Sequence, residues 1–372
     1  MGKTNLKSLS KDGIFDFING LGLPRYRADQ LIQWIYKKYA SSVDEITVFS
    51  KDLRHTLNEH AFISNLKLEK SLKSSDGTEK FLFALEDGQT IESVLIPDRD
   101  RLTLCISSQV GCALGCRFCR TGKLGLIRNL SAYEIVDQVI AVNRILSHHK
   151  IPLHPLLLNP PLPPLLKGGE GGLPGGRGDF VFLKITNIVL MGMGEPLANF
   201  DEVIEALWRI VLFIGISKRK ITLSTAGIVP KIALLAEKAP EINLAVSLNA
   251  TTDASRSEIM PVNKRYPLKS LVDACRKFPL QPRRRITFEY VLISGINDSS
   301  EDARRLVKLL RGIRCKINLI PLNLLEGNGL KRPSEKTVLE FQKILVQNNM
   351  TAFIRESRGK DILAACGQLR GK

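Results

Sequence analysis

The sequence contains no apolar run long enough to span a bilayer and no N-terminal pattern typical of a secretory signal. The segment 1–6 also lacks the hydroxyl residue of a myristoylation site. These absences argue against a membrane or secreted protein. We therefore predict a cytoplasmic protein with no membrane partner.

Acidic residues are scarce relative to basic ones, with 37 Asp and Glu against 54 Lys and Arg and a net charge of +17. Such an excess of positive charge favours a polyanionic partner, most simply a nucleic acid. The alternative is a basic surface that serves only solubility. The 372 residues are 44% hydrophobic, enough for one large core and a small additional domain.

Histidine and cysteine are also rare, with five and seven copies. Four of the cysteines nevertheless fall within residues 105–119, and Cys112, Cys116 and Cys119 have the spacing C-x3-C-x2-C. Three thiolates in one short loop can bind three irons of a four-iron cluster and leave the fourth iron open to an external ligand. A set clustered in this way fits a reducing compartment better than a disulfide scaffold.

Two other interpretations of these cysteines stay open. A structural zinc site needs four protein ligands. No histidine lies in the loop, and Cys105, the one candidate for a fourth ligand, lies on a predicted strand seven residues upstream. The thiols could also be chemically inert. The remaining pair, Cys275 and Cys315, lies in amphipathic segments and is predicted to fill the core.

Strands and helices alternate from residue 102 onward, which predicts a parallel sheet covered by helices. The predicted strands are Leu102–Ile106, Ile185–Leu190, Ile221–Ser224, Leu244–Leu248, Ile286–Leu292 and Lys316–Ile320. The first helix opens on a capping box at Ser131–Glu134, and later ones are predicted near 200–214, 230–238, 267–277, 300–312 and 334–348. Six units favour an open, six-stranded β/α barrel, with ligands at the carboxyl ends of its strands.

The chain before and within this barrel divides into further parts. Residues 1–75 are predicted to form a small helical domain that either docks RNA or serves as a solvated cap. Residues 76–101 alternate apolar and polar positions on both sides of Gly88, which predicts a β-hairpin. Residues 150–178 hold 7 of the 18 prolines and 7 of the 28 glycines, so we predict a flexible, low-complexity insertion there.

Polar residues follow several predicted strands, where a ligand of the barrel would bind. Glycines of the segment 191–196 permit close approach of a ligand to the backbone, whose carbonyls suit an ammonium group. Hydroxyls and amides suit the hydrogen-bonding groups of a nucleoside, although each alone is common at a strand end. The candidate ligand-contacting residues are Gly194, Glu195, Ser224, Ser247, Leu248, Asn249 and Asn323.

Two further residues stand out by their surroundings. Alternation places Glu92 on the same strand face as Val94 and Ile96, where a carboxylate is costly unless it is paired or has a raised pKa. An edge strand with Glu92 in water is the alternative. Near the C-terminus, Cys366 lies in a glycine-flanked tail, where it is either a reactive residue or an exposed free thiol.

The cysteine loop, including Phe118, resembles the signature of the radical S-adenosylmethionine (SAM) superfamily. Residues 107–116 and the string Ala365–Leu369 resemble the RlmN family, which methylates C2 of adenine in large-subunit ribosomal RNA and in some tRNAs. The resemblance runs from about residue 10 to the C-terminus, and the family lacks the insertion. It implies a partial barrel of radical SAM type over residues 102–349 and a tail, 350–372, that carries a methylated cysteine.

The resemblance also implies cofactors and roles. One 4Fe-4S cluster is bound by Cys112, Cys116 and Cys119, and two SAM molecules are used per turnover. Cys366 carries the methyl group, and Cys105 resolves a covalent RNA adduct through a transient disulfide. Glu92 is the candidate proton acceptor, and the strand-end residues listed above contact SAM.

The implied partners are 23S rRNA, tRNA at the adenosine 3′ to the anticodon, and a flavodoxin- or ferredoxin-type electron donor. We predict that the chain acts as a monomer. Basic runs at Lys218–Lys220 and Arg283–Arg285 either contact phosphates or form solvated faces. The rival functions are a Cfr-like methylation of adenine at C8, which the loop residues Val110, Ala113 and Leu114 disfavour, and a non-catalytic RNA-binding protein with structural zinc.

Overall fold

The computed structural model describes residues 2–148, 151–152, 180–181, 184–325, 327 and 329–371. The predicted insertion at 150–178 lies outside the described residues apart from 151–152. None of the helices in the described part of the chain has the length and apolarity needed to cross a bilayer.

The N-terminal region is a small helical module, as predicted. Serine side chains cap two of its helices, since the hydroxyls of Ser10 and Ser50 accept hydrogen bonds from Gly13 N and Leu53 N. Two short parallel strands join its ends. Its elements are β1 (Thr4–Asn5), α1 (Lys11–Gly20), α2 (Tyr26–Tyr36), a 3-10 turn (Val43–Glu45), α3 (Lys51–His60) and β2 (Ala61–Phe62).

Among the described residues the main sheet has ten strands in the order β16-β15-β14-β13-β12-β11-β6-β5-β4-β3. They are β3 (Lys67–Lys73), β4 (Glu79–Ala84), β5 (Thr90–Asp98), β6 (Arg101–Cys105), β11 (Asn187–Leu190), β12 (Ile221–Thr225), β13 (Asn243–Ser247), β14 (Ile286–Leu292), β15 (Cys315–Pro321) and β16 (Ala352–Ile354). Neighbours from β6 to β16 are parallel, and those from β3 to β6 are antiparallel. The open parallel sheet predicted from the alternation is confirmed, and β16 adds a seventh parallel strand to the six that were predicted.

Two antiparallel strand pairs lie outside the main sheet: β7 (Gln109–Cys112) with β8 (Gly125–Asn129), and β9 (Ile151–Pro152) with β10 (Phe180–Val181). The helices that follow the module are α4 (Arg120–Lys123), α5 (Ala132–His148), α6 (Phe200–Arg209), α7 (Val229–Lys238), α8 (Asp253–Ile259), α9 (Leu268–Lys277), α10 (Ser300–Leu310) and α11 (Glu335–Gln347). A π-helical turn, Ile210–Ile214, extends α6, and 3-10 turns cover Pro196–Asn199, Lys218–Lys220 and Pro261–Lys264.

The elements that were not predicted include β3, α8 and β16. Strand β3 reads Lys-Leu-Glu-Lys-Ser-Leu-Lys and is exposed along almost its whole length, so it carries no alternating apolar signal. It begins at residue 67, before the predicted domain boundary at 75/76, and pairs with β4 at the outer edge of the main sheet. The predicted hairpin joins the main sheet, because β5 also pairs with the first barrel strand, β6.

A buried ion pair fastens the helical module to the barrel. The Nζ of Lys7 contacts Asp137 of α5, and both side chains are buried. Asp137 also accepts a hydrogen bond from Leu66 N at 2.8 Å, and the carbonyl of Lys7 accepts one from Arg209 at 2.6 Å. Burial lowers the pKa of Lys7, and the charge of Asp137 opposes that effect. The module and the barrel thus share a buried polar contact.

Candidate active site

The cysteine loop follows the carboxyl end of β6 and folds into the hairpin β7–β8. Gly111 has φ of +79°, and a Cβ there would lie 2.0 Å from the carbonyl oxygen of Gly125, so this position requires glycine. Cys112 ends β7, and α4 begins directly after Cys119. The Arg117 N–H donates to Ile259 O at 3.0 Å, which ties the loop to α8.

A cavity of about 150 Å³ opens between this loop and the carboxyl ends of the parallel strands. The C-terminal tail contributes another part of its wall. Ten predicted site residues line it: Cys112, Cys116, Cys119, Gly194, Glu195, Ser224, Ser247, Asn249, Asn323 and Cys366. Leu248, Cys105 and Glu92 are not among its lining residues. Most of the predicted site is therefore gathered at one place, where parallel α/β sheets bind ligands.

All seven cysteines are free thiols. Burial raises the pKa of Cys112 to about 11 and raises that of Cys116 further, so both thiols favour the protonated form without a metal. The described residues contain no group of three or more His, Cys, Asp and Glu side chains that converges on a single ion. In an iron–sulfur cluster each thiolate binds its own iron, so its ligands need not converge, and three cysteines on one cavity wall fit such a cluster.

The glycines of the turn after β11 were expected to face a ligand, but the side on which a Cβ would lie faces the protein instead. A Cβ at Gly192 would lie 2.7 Å from backbone atoms of Ile106, and one at Gly194 would lie 2.8 Å from Gln109 N. The φ of Gly194 is +99°. These glycines are therefore required for packing against the segment after β6, and only the other side of the turn faces the cavity.

The buried carboxylate of Glu195 stabilises this turn through hydrogen bonds. Its Oε1 accepts hydrogen bonds from Thr225 Oγ1 at 2.6 Å and Leu197 N at 3.1 Å, and its Oε2 accepts one from Ala226 N at 2.7 Å. Burial raises the pKa of Glu195, and these hydrogen bonds oppose the rise. The carboxylate is thus occupied in joining the ends of β11 and β12.

Hydrogen bonds within the protein also stabilise the end of β13. Asn249 adopts φ of +57°, a conformation that asparagine tolerates better than most residues. Its Oδ1 accepts a hydrogen bond from Val291 N at 2.8 Å, which connects β13 to β14. Leu248 is fully buried, and its backbone bonds to Glu289 O and Arg256 Nε. The structure therefore does not place Leu248 on the cavity wall.

Asn323, after β15, has an unused hydrogen-bonding atom at the cavity. Its Nδ2 donates to the carbonyl of Cys366 at 3.1 Å, and its Oδ1 is buried without a partner among the described residues. A buried acceptor left unpaired costs about 1–3 kcal/mol. A ligand that donates a hydrogen bond, such as the amino or hydroxyl groups of an adenosine moiety, fits this position.

The C-terminal tail lies across the carboxyl ends of the strands and brings Cys366 beside the loop cysteines. Gly367 O accepts a hydrogen bond from Arg120 N at 2.7 Å, and Leu369 O accepts one from Thr121 Oγ1 at 2.7 Å. Cys366 is exposed and lines the cavity. There, burial and the nearby negative charge of Glu289 raise its pKa to about 12.

Cys105 is buried behind the cavity wall. The N–H of Met191, a lining residue, donates to its sulfur, and burial raises the pKa of the thiol to about 12. The charges of Cys105 and Cys119 also contribute to the raised pKa of Cys366, so these thiols lie near one another.

Glu92 is buried in the interior of the sheet, and the alternative of an edge strand in water is wrong. Its Oε1 contacts Lys80 Nζ at 3.0 Å. Its Oε2 accepts hydrogen bonds from the backbone of Arg370 at 2.6 Å and Gly371 at 3.1 Å. The charge is thus compensated on both sides, and Glu92 anchors the tail that carries Cys366.

Two functional candidates were missed by sequence reasoning. Glu289 of β14 lines the cavity, and its Oε1 accepts a hydrogen bond from Asn318 at 2.9 Å. Burial raises the pKa of Glu289, while the bond from Asn318 and the charges of Arg355 and Lys316 oppose the rise. A glutamate within the run Ile-Thr-Phe-Glu-Tyr-Val-Leu was the available signal, since the other residues are typical of a buried strand.

The other candidate is Arg256 of α8, which is completely buried. Its guanidinium donates to the carbonyls of Leu248 at 2.9 Å, Ala226 at 2.7 Å and Ser247 at 3.1 Å. Burial lowers the pKa of Arg256 to about 10, and the thiol of Cys116, when it is ionised, opposes this effect. It therefore holds two strand ends together behind the cysteine loop. No sequence pattern distinguished it from a surface arginine.

Comparison with known proteins relates the chain to RNA methyltransferases. A family model for the N-terminal domain of ribosomal RNA large subunit methyltransferases matches residues 4–63. The dual-specificity RNA methyltransferase RlmN of Geobacter sulfurreducens is 48% identical over 370 residues, which are 99% of this chain and 92% of that protein. The RlmN of Pelobacter propionicus is 47% identical over 100% of this chain and 96% of its own length. The chain belongs to the RlmN family.

A solved relative supports the architecture of this RlmN family member. The crystal structure of a radical SAM methyltransferase from Sphaerobacter thermophilus superposes with a TM-score of 0.86 at 40% identity, over 99% of this chain and all of that one. The partial barrel of radical SAM type is therefore confirmed. Membership also implies a 4Fe-4S cluster and SAM as the cofactors.

Proposed function

We propose that the chain is a radical SAM methyltransferase that adds a methyl group to C2 of adenine in 23S rRNA and in tRNA, at the adenosine 3′ to the anticodon. The observation that carries the proposal is that Cys366 lines the same cavity as the three loop cysteines. A structural metal site would not need a thiol from the opposite end of the chain at this place. The full-length similarity to dual-specificity RNA methyltransferases RlmN supports the proposed substrates.

Cys112, Cys116 and Cys119 would hold the cluster, whose open iron supplies the electron that cleaves SAM when both are bound. Asn323 would bind SAM through its unpartnered Oδ1, and Ser224 and Ser247 through their hydroxyls. Gly194 and Asn249 would shape the cavity around it. Glu195 and Leu248 would act indirectly, because their polar groups are engaged by the protein.

Cys366 would accept a methyl group from a first SAM, and a second SAM would be used to transfer that carbon to the base. Its thiol has a raised pKa, so deprotonation needs a nearby positive charge. The sulfonium of SAM is such a charge. Cys105 would then attack the sulfur of Cys366 and release the methylated base, with a transient disulfide that a cellular reductant resets.

Glu92 would remove the C2 proton of the adenine in the RNA adduct. In the described arrangement its carboxylate is bonded to Lys80, Arg370 and Gly371. A base needs a free lone pair directed at the proton, so the end of the tail would have to shift when RNA binds. We therefore assign Glu92 two successive roles, first as the anchor of the tail and then as the base.

The remaining parts of the proposal concern partners and organisation. A reduced flavodoxin or ferredoxin would supply the electron, and the enzyme would act as a monomer in the cytoplasm. The helical module within residues 1–75 would dock RNA, and the tail from residue 350 would present Cys366. Selectivity for adenine would come from an unstacked base placed in the cavity.

Cysteine variants test the reaction sequence. Cys366→Ala should abolish RNA methylation and still permit cleavage of SAM under reductant. Cys105→Ala should accumulate a covalent protein–RNA adduct, visible as a shifted band that contains both components. Cys275→Ala is the matched control, because Cys275 is buried in the core outside the cavity. Normal turnover by Cys105→Ala would reject the resolving role.

The two rival functions predict different products. Mass mapping of RNA from cells with and without the gene distinguishes methylation at C2 from the Cfr-like methylation at C8. Reconstitution with iron and sulfide under anaerobic conditions addresses the RNA-binding protein with structural zinc. Tightly bound zinc, no iron and no cleavage of SAM would favour that rival over our proposal.

A further inference from the structure

The run Arg283–Arg285 lies at the end of the barrel opposite the cysteine loop. It precedes β14, and Arg314 precedes β15, so both belong to loops that lead from a helix into the amino end of a strand. The catalytic cavity lies at the carboxyl ends of the same strands. A seven-residue strand such as β14 separates the two ends by about 20 Å. These arginines therefore cannot contact a base in the catalytic cavity.

Four arginines from these loops line a second cavity of about 490 Å³, which we call the arginine cavity. Its described wall contains no aspartate or glutamate. The volume falls within the range of small-molecule and group-binding sites. Its lining residues are Arg283, Arg284, Arg285, Ile313, Arg314, Cys315, Asn349, Met350 and Thr351.

Three of these guanidinium groups are held in place by the protein. Arg284 donates to Glu241 O at 2.5 Å, Arg285 to Thr351 Oγ1 at 3.1 Å, and Arg314 to Leu280 O at 2.9 Å. A guanidinium has five N–H donors, so each keeps several for a ligand. Arginines already fixed in this way lose less side-chain entropy when they bind an anion than free surface arginines do.

Arg283 is different, because its exposed side chain makes no hydrogen bond or ion pair within the described part of the chain. Its backbone has φ of +64°, a region in which a glycine would be less strained. Neither a contact within the protein nor the turn itself therefore accounts for an arginine at this position. A ligand outside the chain would account for it.

The positive charge continues beyond the arginine cavity along the same end of the barrel. Lys218–Lys220 precedes β12, two strands away from β14. Glu241, which lies between them, forms an ion pair with Lys218, and this contact lowers the pKa of Glu241. A strip that spans several strands exceeds what a single small anion needs and fits an extended chain of phosphates.

We propose that the arginine cavity binds the phosphodiester backbone of the RNA substrate, at a second contact remote from the methylated adenine. This proposal rests on the proposed function, which supplies RNA as the partner. Arginine contacts to phosphates contribute affinity without reading sequence. The cavity would thus favour long, folded RNA over a short stem-loop that reaches only the catalytic end.

The test compares Arg283→Gln/Arg314→Gln with the wild-type holoenzyme. We expect roughly five- to tenfold weaker binding of full-length tRNA at low salt, and a slope of log affinity against log salt reduced by about 2 for two lost contacts. Binding of a short anticodon stem-loop should stay the same. Lys336→Gln/Lys343→Gln, which removes the same charge from exposed positions of α11, is the matched control and should change neither quantity.

The single variant Arg283→Gln controls for misfolding, because that side chain makes no hydrogen bond or ion pair within the described part of the chain. It should show about half of the change in slope seen in the double variant. Equal affinity and slope for tRNA in wild type and double variant would overturn the proposal. So would tight binding of inorganic phosphate or a free nucleotide at the cavity with no effect of the variant on RNA. Methylation of the short stem-loop by the wild type reports on the proposed function separately.

Discussion

The carboxylate of Glu92 accepts hydrogen bonds from the backbone N–H groups of Arg370, at 2.6 Å, and Gly371, at 3.1 Å. Glu92 lies on β5 in the antiparallel part of the sheet, and the two N–H groups lie four and five residues after Cys366. The hairpin therefore holds the segment that carries Cys366, the thiol that we propose accepts the methyl group. A thiol on an unanchored tail would be poorly positioned for chemistry that needs alignment within a fraction of an ångström.

Replacing Glu92 by Gln should loosen this tail. The substitution removes a charge from three hydrogen-bonded contacts, and hydrogen bonds to charged groups contribute about 1.5–3 kcal/mol each. We expect faster hydrogen exchange at residues 367–371 with an intact fold. Glu69→Gln, which breaks an exposed ion pair with Lys67, is the control and should leave tail exchange unchanged.

The same variant separates the two roles of Glu92. If Glu92 acts only as the base, Glu92→Gln should still methylate Cys366 and should accumulate the RNA adduct. If it also anchors the tail, methylation of Cys366 should itself slow. Mass spectrometry of the C-terminal peptide measures this step, and unchanged exchange together with normal Cys366 methylation would contradict the anchoring role.

Replacing Glu289 by Gln should weaken binding of SAM. Glu289 uses Oε1 to accept from Asn318, which leaves Oε2 for a donor in the cavity. Gln would present an NH2 group in place of that acceptor. We expect the dissociation constant of SAM to rise roughly ten- to a hundredfold, from the ~1.5–3 kcal/mol of a hydrogen bond to a charged group.

Equilibrium dialysis with labelled SAM measures this effect without relying on turnover. Glu237→Gln, which removes one negative charge from the exposed side of α7, is the matched control. An unchanged dissociation constant in Glu289→Gln would show that the carboxyl faces RNA or water instead of SAM.

Replacing Arg256 by Met should destabilise the barrel. Three backbone carbonyls, of Ala226, Ser247 and Leu248, would lose their buried donor, and each unpaired acceptor costs about 1–3 kcal/mol. We expect the free energy of unfolding of the apo-protein to fall by about 3 kcal/mol or more in urea titrations. Arg304→Met on the exposed side of α10 is the control and should change the free energy of unfolding little. Equal losses of stability in both variants would contradict a stabilising role of the Arg256 hydrogen bonds.

Replacing Asp76 by Asn should alter the pH dependence of stability. Burial raises the pKa of Asp76, but hydrogen bonds from Gly359 and Thr78 outweigh it and hold the pKa at about 2. Because the folded-state pKa lies below the ordinary value of 3.8, the stabilisation is fully present above about pH 4 and is lost as the pH falls towards 2.

Urea unfolding of apo-protein at several pH values measures this contribution. Asp76→Asn should be less stable than wild type at pH 6, and the difference should shrink to near zero by pH 2. Asp201→Asn, an exposed site on α6, is the control. A difference that stays constant with pH would show that the carboxylate contributes nothing through its charge.

Most of the barrel followed from local pattern. The buried parallel strands are short apolar runs, and the predicted helices α10 and α11 begin after serine caps, so hydrophobic periodicity and capping residues were informative there. Strand β3 was not recognisable, because an exposed edge strand needs no apolar face. The burial of Arg256 could not be predicted, because it depends on the packing of α8 against strand ends that are distant in the sequence.

The amino-acid order alone specified the three-cysteine spacing, the residue types at the strand ends and the excess of positive charge, because these are properties of composition and local spacing. Folding then settled which groups remain free for a ligand. Glu195 and Asn249 are bonded to protein, whereas Asn323 keeps an unpaired oxygen and Glu289 faces the cavity. Hydrogen-bond partners come from distant segments of the chain. Only the packing of those segments therefore decides whether a polar side chain is hydrogen-bonded within the protein or is free to contact a ligand.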